Sequence, residues 1–188
     1  MKRFFDGVTL LLVMGILGLA VWAWPFLPDQ IPTHFGIDGQ ADAWSDRSWA
    51  SWFSLPGVAL LTVVFFGFFR ALIPRRPGWV NLPDRTKLSE LPEVARAPVF
   101  EMFSGFLALV QTELLLIFGL IQFATYRTAM GGESQGIMIT VLILAILMSP
   151  ILMVVFFLRL QPALERGKEL ARRAEAGTAG ETQATRAM

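Results

Sequence analysis

At 188 residues the chain has room for one domain, and with 54% hydrophobic and only 16% charged residues it is too apolar for an ordinary soluble fold, where about 25% of residues are charged. A net charge of +1 gives no global signal for nucleic acid. The absence of cysteine excludes disulfides and thiolate metal sites.

Gaps between charges mark the membrane spans. No charge occurs from Gly7 to Pro28, from Ser48 to Phe69 or from Ser134 to Leu158, and Glu113 is the only one from Met102 to Tyr126. A hydrocarbon core of about 30 Å needs about 20 helical residues. The fold expected is therefore an all-α polytopic membrane protein with four transmembrane helices, over residues 8–24, 52–73, 103–126 and 137–158. These form one transmembrane domain over residues 1–160, followed by a polar tail at 161–188. Lys2 and Arg3 ahead of an apolar run imitate a signal peptide, but the run continues through Trp24 and Phe26, and bulky Trp22 and Trp24 crowd the cleavage site. A retained anchor is the better reading.

Lysine and arginine counts orient the chain. Fourteen fall before helix one, between helices two and three, or after helix four; the remaining two loops hold only Arg47 and Arg127. Both termini are thus expected in the cytoplasm, and the loop after helix one outside a cytoplasmic (inner) membrane.

That loop is the least membrane-like stretch. Ile31 to Phe35 has strand-forming residues and Gly36 to Gly39 is a turn signal, so a short extracytoplasmic hairpin is expected. It carries the only histidine, His34, with Asp29, Asp38 and Asp42 around it. One nitrogen and a few carboxylates make a poor zinc set, and the spacing is not that of a calcium loop. No metal or cofactor is expected. The plainer role for His34 is a loop-ordering hydrogen bond to Asp42 or to a backbone carbonyl, a pairing that would make the loop responsive to pH. Trp22, Trp24, Trp44, Trp49 and Trp52 gather near this side and read as an interfacial aromatic belt before they read as a ligand cage.

Pro74, Pro77, Pro83, Pro92 and Pro98 argue against one long helix between spans two and three. Leu88, Leu91, Val94 and Ala95 suggest a short surface helix there. Arg70, Arg75 and Arg76 would favour anionic membrane lipid, although topology alone accounts for them. In the tail, Glu165, Lys168, Glu169 and Arg172 support a helical extension, with disorder expected from Ala176 onward.

Within the spans, Glu113 is the costliest residue to insert and should face protein or trapped water, with Gln111 beside it. It reads equally as the carboxylate of a proton-coupled transport path and as a neutral acid bonded to a neighbouring helix. Ser149-Pro150 marks a kink at similar depth. Ser104, Ala108 and Thr112 form a small-residue packing stripe. Gly132-Glu133-Ser134-Gln135-Gly136 matches the Gly-x-Ser-x-Gly hydrolase pattern, which would pair Ser134 with His34. Because the pattern needs a strand entering the turn and a helix leaving it, Ser134 reads better as the N-cap of helix four. No catalytic residue is assigned.

Leu27-Pro28-Asp29, Ile31-Pro32, His34-Phe35, Gly39, Asp42 and Trp44, with Asn81-Leu82-Pro83 further on, resemble the signature of a bacterial membrane-protein family containing a domain of unknown function. Its relatives include SdpI-type immunity proteins. The resemblance implies a polytopic helical protein and, for the SdpI type, a role in resisting an extracellular toxin and signalling its presence. The polar, constrained outer loop itself suggests a non-enzymatic protein that senses an extracellular peptide or toxin, with a cytoplasmic regulator as partner. Asp29, His34, Asp38, Asp42 and Trp44 are the candidate sensing residues, and Gln111, Glu113 and Ser149 the intramembrane polar ones.

Overall fold

A computed structural model describes residues 2–81 and 87–186. Leu82 and Pro83 of the Asn-Leu-Pro match, and Arg85, lie outside the described residues. The chain is predominantly helical: α1 (Lys2–Ala23), a hairpin of β1 (Gln30–Phe35) and β2 (Ala41–Asp46), then α2 (Trp49–Leu72), α3 (Glu93–Ala129), α4 (Gln135–Ile143) and α5 (Ser149–Arg186). A π-helical turn, Leu144–Met148, makes α4 and α5 continuous. Four helical segments are long and apolar enough to cross a membrane, as expected: Arg3–Phe26, Trp49–Arg75, Glu93–Ala129 and Gln135–Arg173. The protein is a multi-pass membrane protein.

Local chemistry sets the helix ends. Pro25 ends α1 in a 3-10 turn, Trp24–Phe26, after which Leu27 turns extended. Ser48 and Ser51 begin α2 by capping each other, each backbone N–H donating to the other's Oγ at 2.9 and 3.0 Å. At the end of α3, Gly131 adopts φ +76°, and the amides of Gly132 and Gly131 donate to the Arg127 and Thr128 carbonyls at 2.8 and 3.0 Å. That pairing is a Schellman stop, which needs a left-handed residue and therefore favours glycine.

Two expectations fail in α3 and α5. The surface helix expected near Leu88 is only a 3-10 turn, Leu88–Glu90, and α3 itself starts at Glu93, ten residues before the expected span. Arg96 braces this start, its Nε donating to the Leu91 carbonyl at 2.8 Å and its guanidinium to the Ser89 carbonyl at 2.9 Å. Pro98 lies inside the helix, in its second turn, where its missing N–H leaves one carbonyl without a helical donor. The tail differs as well: α5 continues to Arg186 through residues expected to be disordered. Extending an existing helix needs no new nucleus, so α5 runs on even through the Gly-, Thr- and Ala-rich residues after Glu175.

Two compact units are present: Met1–Gly67 with Ala108–Leu152, and Phe68–Leu107 with Met153–Met188. In the first, Ala20, Ala23, Leu27, Ile31 and Trp52 form one core cluster, and Ile16, Ala59 and Leu115 another. Trp52 is 1% exposed, a core residue and not a member of the aromatic belt; its indole N–H donates to the Ala20 carbonyl at 2.8 Å, as a buried indole must find an acceptor. In the second unit, Leu88, Val99, Leu160 and Leu164 make the core. There Gly167 meets the Ala95 carbonyl so closely that a β-carbon would collide with it.

Candidate functional site

The hairpin forms where the sequence places it. β1 and β2 pair antiparallel, with irregular register on both sides of His34. The turn closes through Gly36 N–H to the Gln40 carbonyl at 2.8 Å and Gly39 N–H to the Gly36 carbonyl at 2.9 Å. Asp38 serves the turn, its Oδ1 accepting the Gln40 N–H at 3.1 Å. Ile31 and Pro32 are buried, so β1 seats the hairpin, whereas no residue of β2 is buried.

His34 Nδ1 and Asp42 Oδ1 lie 2.5 Å apart, with side chains 67% and 55% exposed. Exposed pairs of this kind contribute about 0–1 kcal/mol. The fold does not depend on such a bond, and the imidazole and carboxylate remain presented to solvent. Asp38 joins them: a β-carbon on Gly36 would lie 2.8 Å from Asp38 Oδ1 and 3.3 Å from Asp42 Oδ2, so both carboxylates close over one glycine. His34, Asp38 and Asp42 are therefore brought together. Asp29 and Trp44 act elsewhere. Asp29 offers its backbone carbonyl to Arg47 N–H at 2.7 Å, and Trp44 is an exposed residue paired with Pro32. Among the described residues no group of three or more His, Cys, Asp or Glu side chains is arranged to hold a metal ion.

Sequence reasoning missed two supports of this hairpin. Arg47 donates to the Leu27 carbonyl at 2.6 Å and lies 5.4 Å from the centre of the Trp24 ring, a cation–π contact. Trp24 in turn packs against Trp49 and Phe53. Gln135, in the first turn of α4, donates from Nε2 to the Asp38 carbonyl at 3.0 Å. Gly39, at φ +78°, packs so tightly on the same turn that a β-carbon there would stand 2.9 Å from the Gln135 carbonyl and 3.2 Å from Met138 Cβ. The tip of the hairpin is thus clasped to the start of α4. No local sequence signal announces a contact between residues 97 positions apart.

Ser134 does sit at the N-cap of α4, but its side chain makes no cap bond. It pairs with Thr128 Oγ1 at 2.5 Å instead. The segment before it is the turn that ends α3, so the strand required by a nucleophile elbow is not there.

Inside the spans, two of the three polar residues singled out by sequence, Glu113 and Ser149, come together, and Gln111 does not join them. Residues two apart on a helix point about 200° apart. Gln111 accordingly donates to Thr9 of α1 at 3.3 Å, while Glu113, 8% exposed, accepts from Ser149 Oγ at 2.9 Å. Ser149 directly follows the π turn. Pro150 explains that turn: its ring would crowd a carbonyl one α-turn back and it has no N–H to give, so the helix widens there. Gln122 was missed. It is 2% exposed, and its Nε2 has no hydrogen-bond partner among the described residues. Eleven residues after Gln111, about three full turns, it lies on the same helix face.

No curated protein and no solved structure matches this chain. Residues 11–60 match a family model described as a domain of unknown function (DUF1648). The matched stretch carries most of α1, the entire hairpin and the first half of α2, so the exposed His34–Asp42 pair and the turn that holds Asp38 lie within it.

Proposed function

We propose that the protein is a non-enzymatic sensor in the cytoplasmic (inner) membrane, with both termini in the cytoplasm and the hairpin outside, and that His34, Asp38 and Asp42 bind its ligand. The observation that carries this reading is the clasp between the hairpin tip and α4. An exposed polar cluster fixed through Gly39 and Gln135 to a helix of nine residues has a route by which binding is transmitted. That helix leads into the π turn, directly before Ser149 and its bond to Glu113. Hinges of this type let one helical segment move against the next. An extracellular peptide or toxin as ligand, a cytoplasmic regulator as recipient of the signal, and a relation to the SdpI-type immunity proteins complete the proposal. The test uses cells holding equal amounts of the parent, His34→Ala or Asp42→Asn chain, challenged with membrane-active peptide toxins. Lost protection in the variants is the expected result; identical survival of all three strains removes the sensing role.

A second reading is favoured by one observation: Glu113 is buried in a membrane-length helix, and its hydrogen bond goes to a serine at a π turn, with no Lys or Arg paired to it among the described residues. A carboxylate so placed is expensive and commonly functional. On this reading the chain is a small proton-coupled transporter, and Glu113→Gln abolishes proton flux into vesicles. A parent chain without flux ends that reading.

A further inference from the structure

Away from the hairpin, in the second unit, Trp79, Asn81, Phe103, Phe156, Phe157 and Leu160 line an open groove of about 540 Å³. Its wall is aromatic, with the Phe103 and Phe156 rings 5.1 Å apart in an edge-on arrangement. Trp79 is 69% exposed and Phe157 is exposed as well, so the groove opens at the surface. Three cations adjoin the lining residues along the backbone without themselves lining the groove. The Trp79 backbone amide donates to the Arg76 carbonyl at 3.0 Å. Lys87 pairs across a backbone bridge with Asn81, and Arg159 directly precedes Leu160 on α5. All three are exposed, and none is paired with a carboxylate among the described residues.

The combination selects a ligand with two unlike parts. An aromatic groove between membrane-length helices suits a hydrocarbon chain. Exposed cations with an amide beside them suit a phosphate. Trp79 has the amphipathic indole typical of the level where chain meets headgroup. Charges that only set topology require no groove, and ordinary surrounding lipid requires no cations. We propose that this groove holds an acyl chain of an anionic phospholipid whose phosphate lies among Arg76, Lys87 and Arg159, with Asn81 at the boundary. The site is separate from the hairpin and does not depend on the sensing role.

Brominated acyl chains quench tryptophan on contact, which makes Trp79 the reporter. The full chain is placed in bilayers containing either brominated phosphatidylglycerol or brominated phosphatidylcholine, and the Trp79 signal is taken as the difference from Trp79→Phe. The expected result is stronger quenching by phosphatidylglycerol, with the preference falling about fivefold for each of Arg76→Gln, Lys87→Gln and Arg159→Gln. Equal quenching by the two lipids overturns the proposal by making the groove ordinary lipid surface. A preference that survives all three substitutions overturns it too. Free glycerol 3-phosphate should leave the quenching unchanged; displacement by it would reveal a soluble-phosphate site instead. Emission from the other five tryptophans reports folding, and with three independent substitutions the loss of one to misfolding leaves the other two to decide.

Discussion

The side-chain amide of Gln135 donates to the backbone carbonyl of Asp38 at 3.0 Å, fastening the hairpin tip to the first turn of α4. Because Gly39 packs on the same turn at positive φ, the two contacts should fail unequally. Gln135→Ala removes one hydrogen bond, worth about 1 kcal/mol. Gly39→Ala adds a β-carbon where the Gln135 backbone already stands and where φ is unfavourable, so its cost should be larger, about 1–3 kcal/mol. Thermal melts of the two variants, with protease nicking of the hairpin as a local readout, check the order.

His34→Ala and Asp42→Asn should leave the melting temperature nearly unchanged, since an exposed pair contributes at most about 1 kcal/mol. A large loss of stability in either variant would make the pair a structural element and weaken its reading as a binding group.

Trp52→Phe should be costly, while Trp49→Phe should not. The first leaves the Ala20 carbonyl without its indole donor inside a packed core, a loss of about 1–3 kcal/mol. Trp49 is exposed, and phenylalanine keeps its ring contacts. Comparing the two melts, together with loss of the most blue-shifted tryptophan emission in Trp52→Phe alone, tests this contrast.

Ser149→Ala should destabilise by about 1–2 kcal/mol, because it strips a buried carboxyl group of its donor. Glu113→Gln retains an acceptor for Ser149 and should melt close to the parent. Reversal of that order would show that Glu113 is not held by the hydroxyl.

The orientation is open to direct measurement, because the native chain has no cysteine. Cysteine placed at Ile37, an exposed residue of the hairpin turn, should react with an impermeant maleimide on intact cells. At Trp79 it should react only after permeabilisation. Labelling of position 37 from the cytosolic side alone would invert the topology.

How far the fold was legible differs by element. The spans were readable because burying charge in hydrocarbon is expensive, so the gaps between charges mark where the chain can cross. The helix ends were not, since hydropathy is silent once a helix leaves the bilayer. What starts α3 at Glu93 is Arg96 bonding back to Leu91 and Ser89, together with Ala95 and Val99 buried against their neighbours. The hairpin was readable from the strand-forming residues Ile31 to Phe35 and the turn residues Gly36 to Gly39, whose backbone preferences act locally. His34 and Asp42 were paired by proximity in sequence, and the structure joins them. Gln135 and Ser149 acquire their partners only through tertiary packing, at separations of 97 and 36 residues. Gln122 carried a faint signal, its repeat with Gln111 after three turns, which becomes visible only once α3 is known to be one continuous helix.

The π turn at Leu144–Met148 has a consequence for chain length. Such a turn holds one residue more than the α-helical turn it replaces, which makes it the place where the fourth span stores a surplus amino acid. Removing one residue from this stretch should tighten the coil while preserving the azimuth from which Ser149 reaches Glu113. The same deletion a few positions toward the hairpin should swing Gln135 about 100° around the axis and pull it out from under Asp38. A short deletion scan along α4 would therefore be tolerated at one spot and punished on its hairpin side.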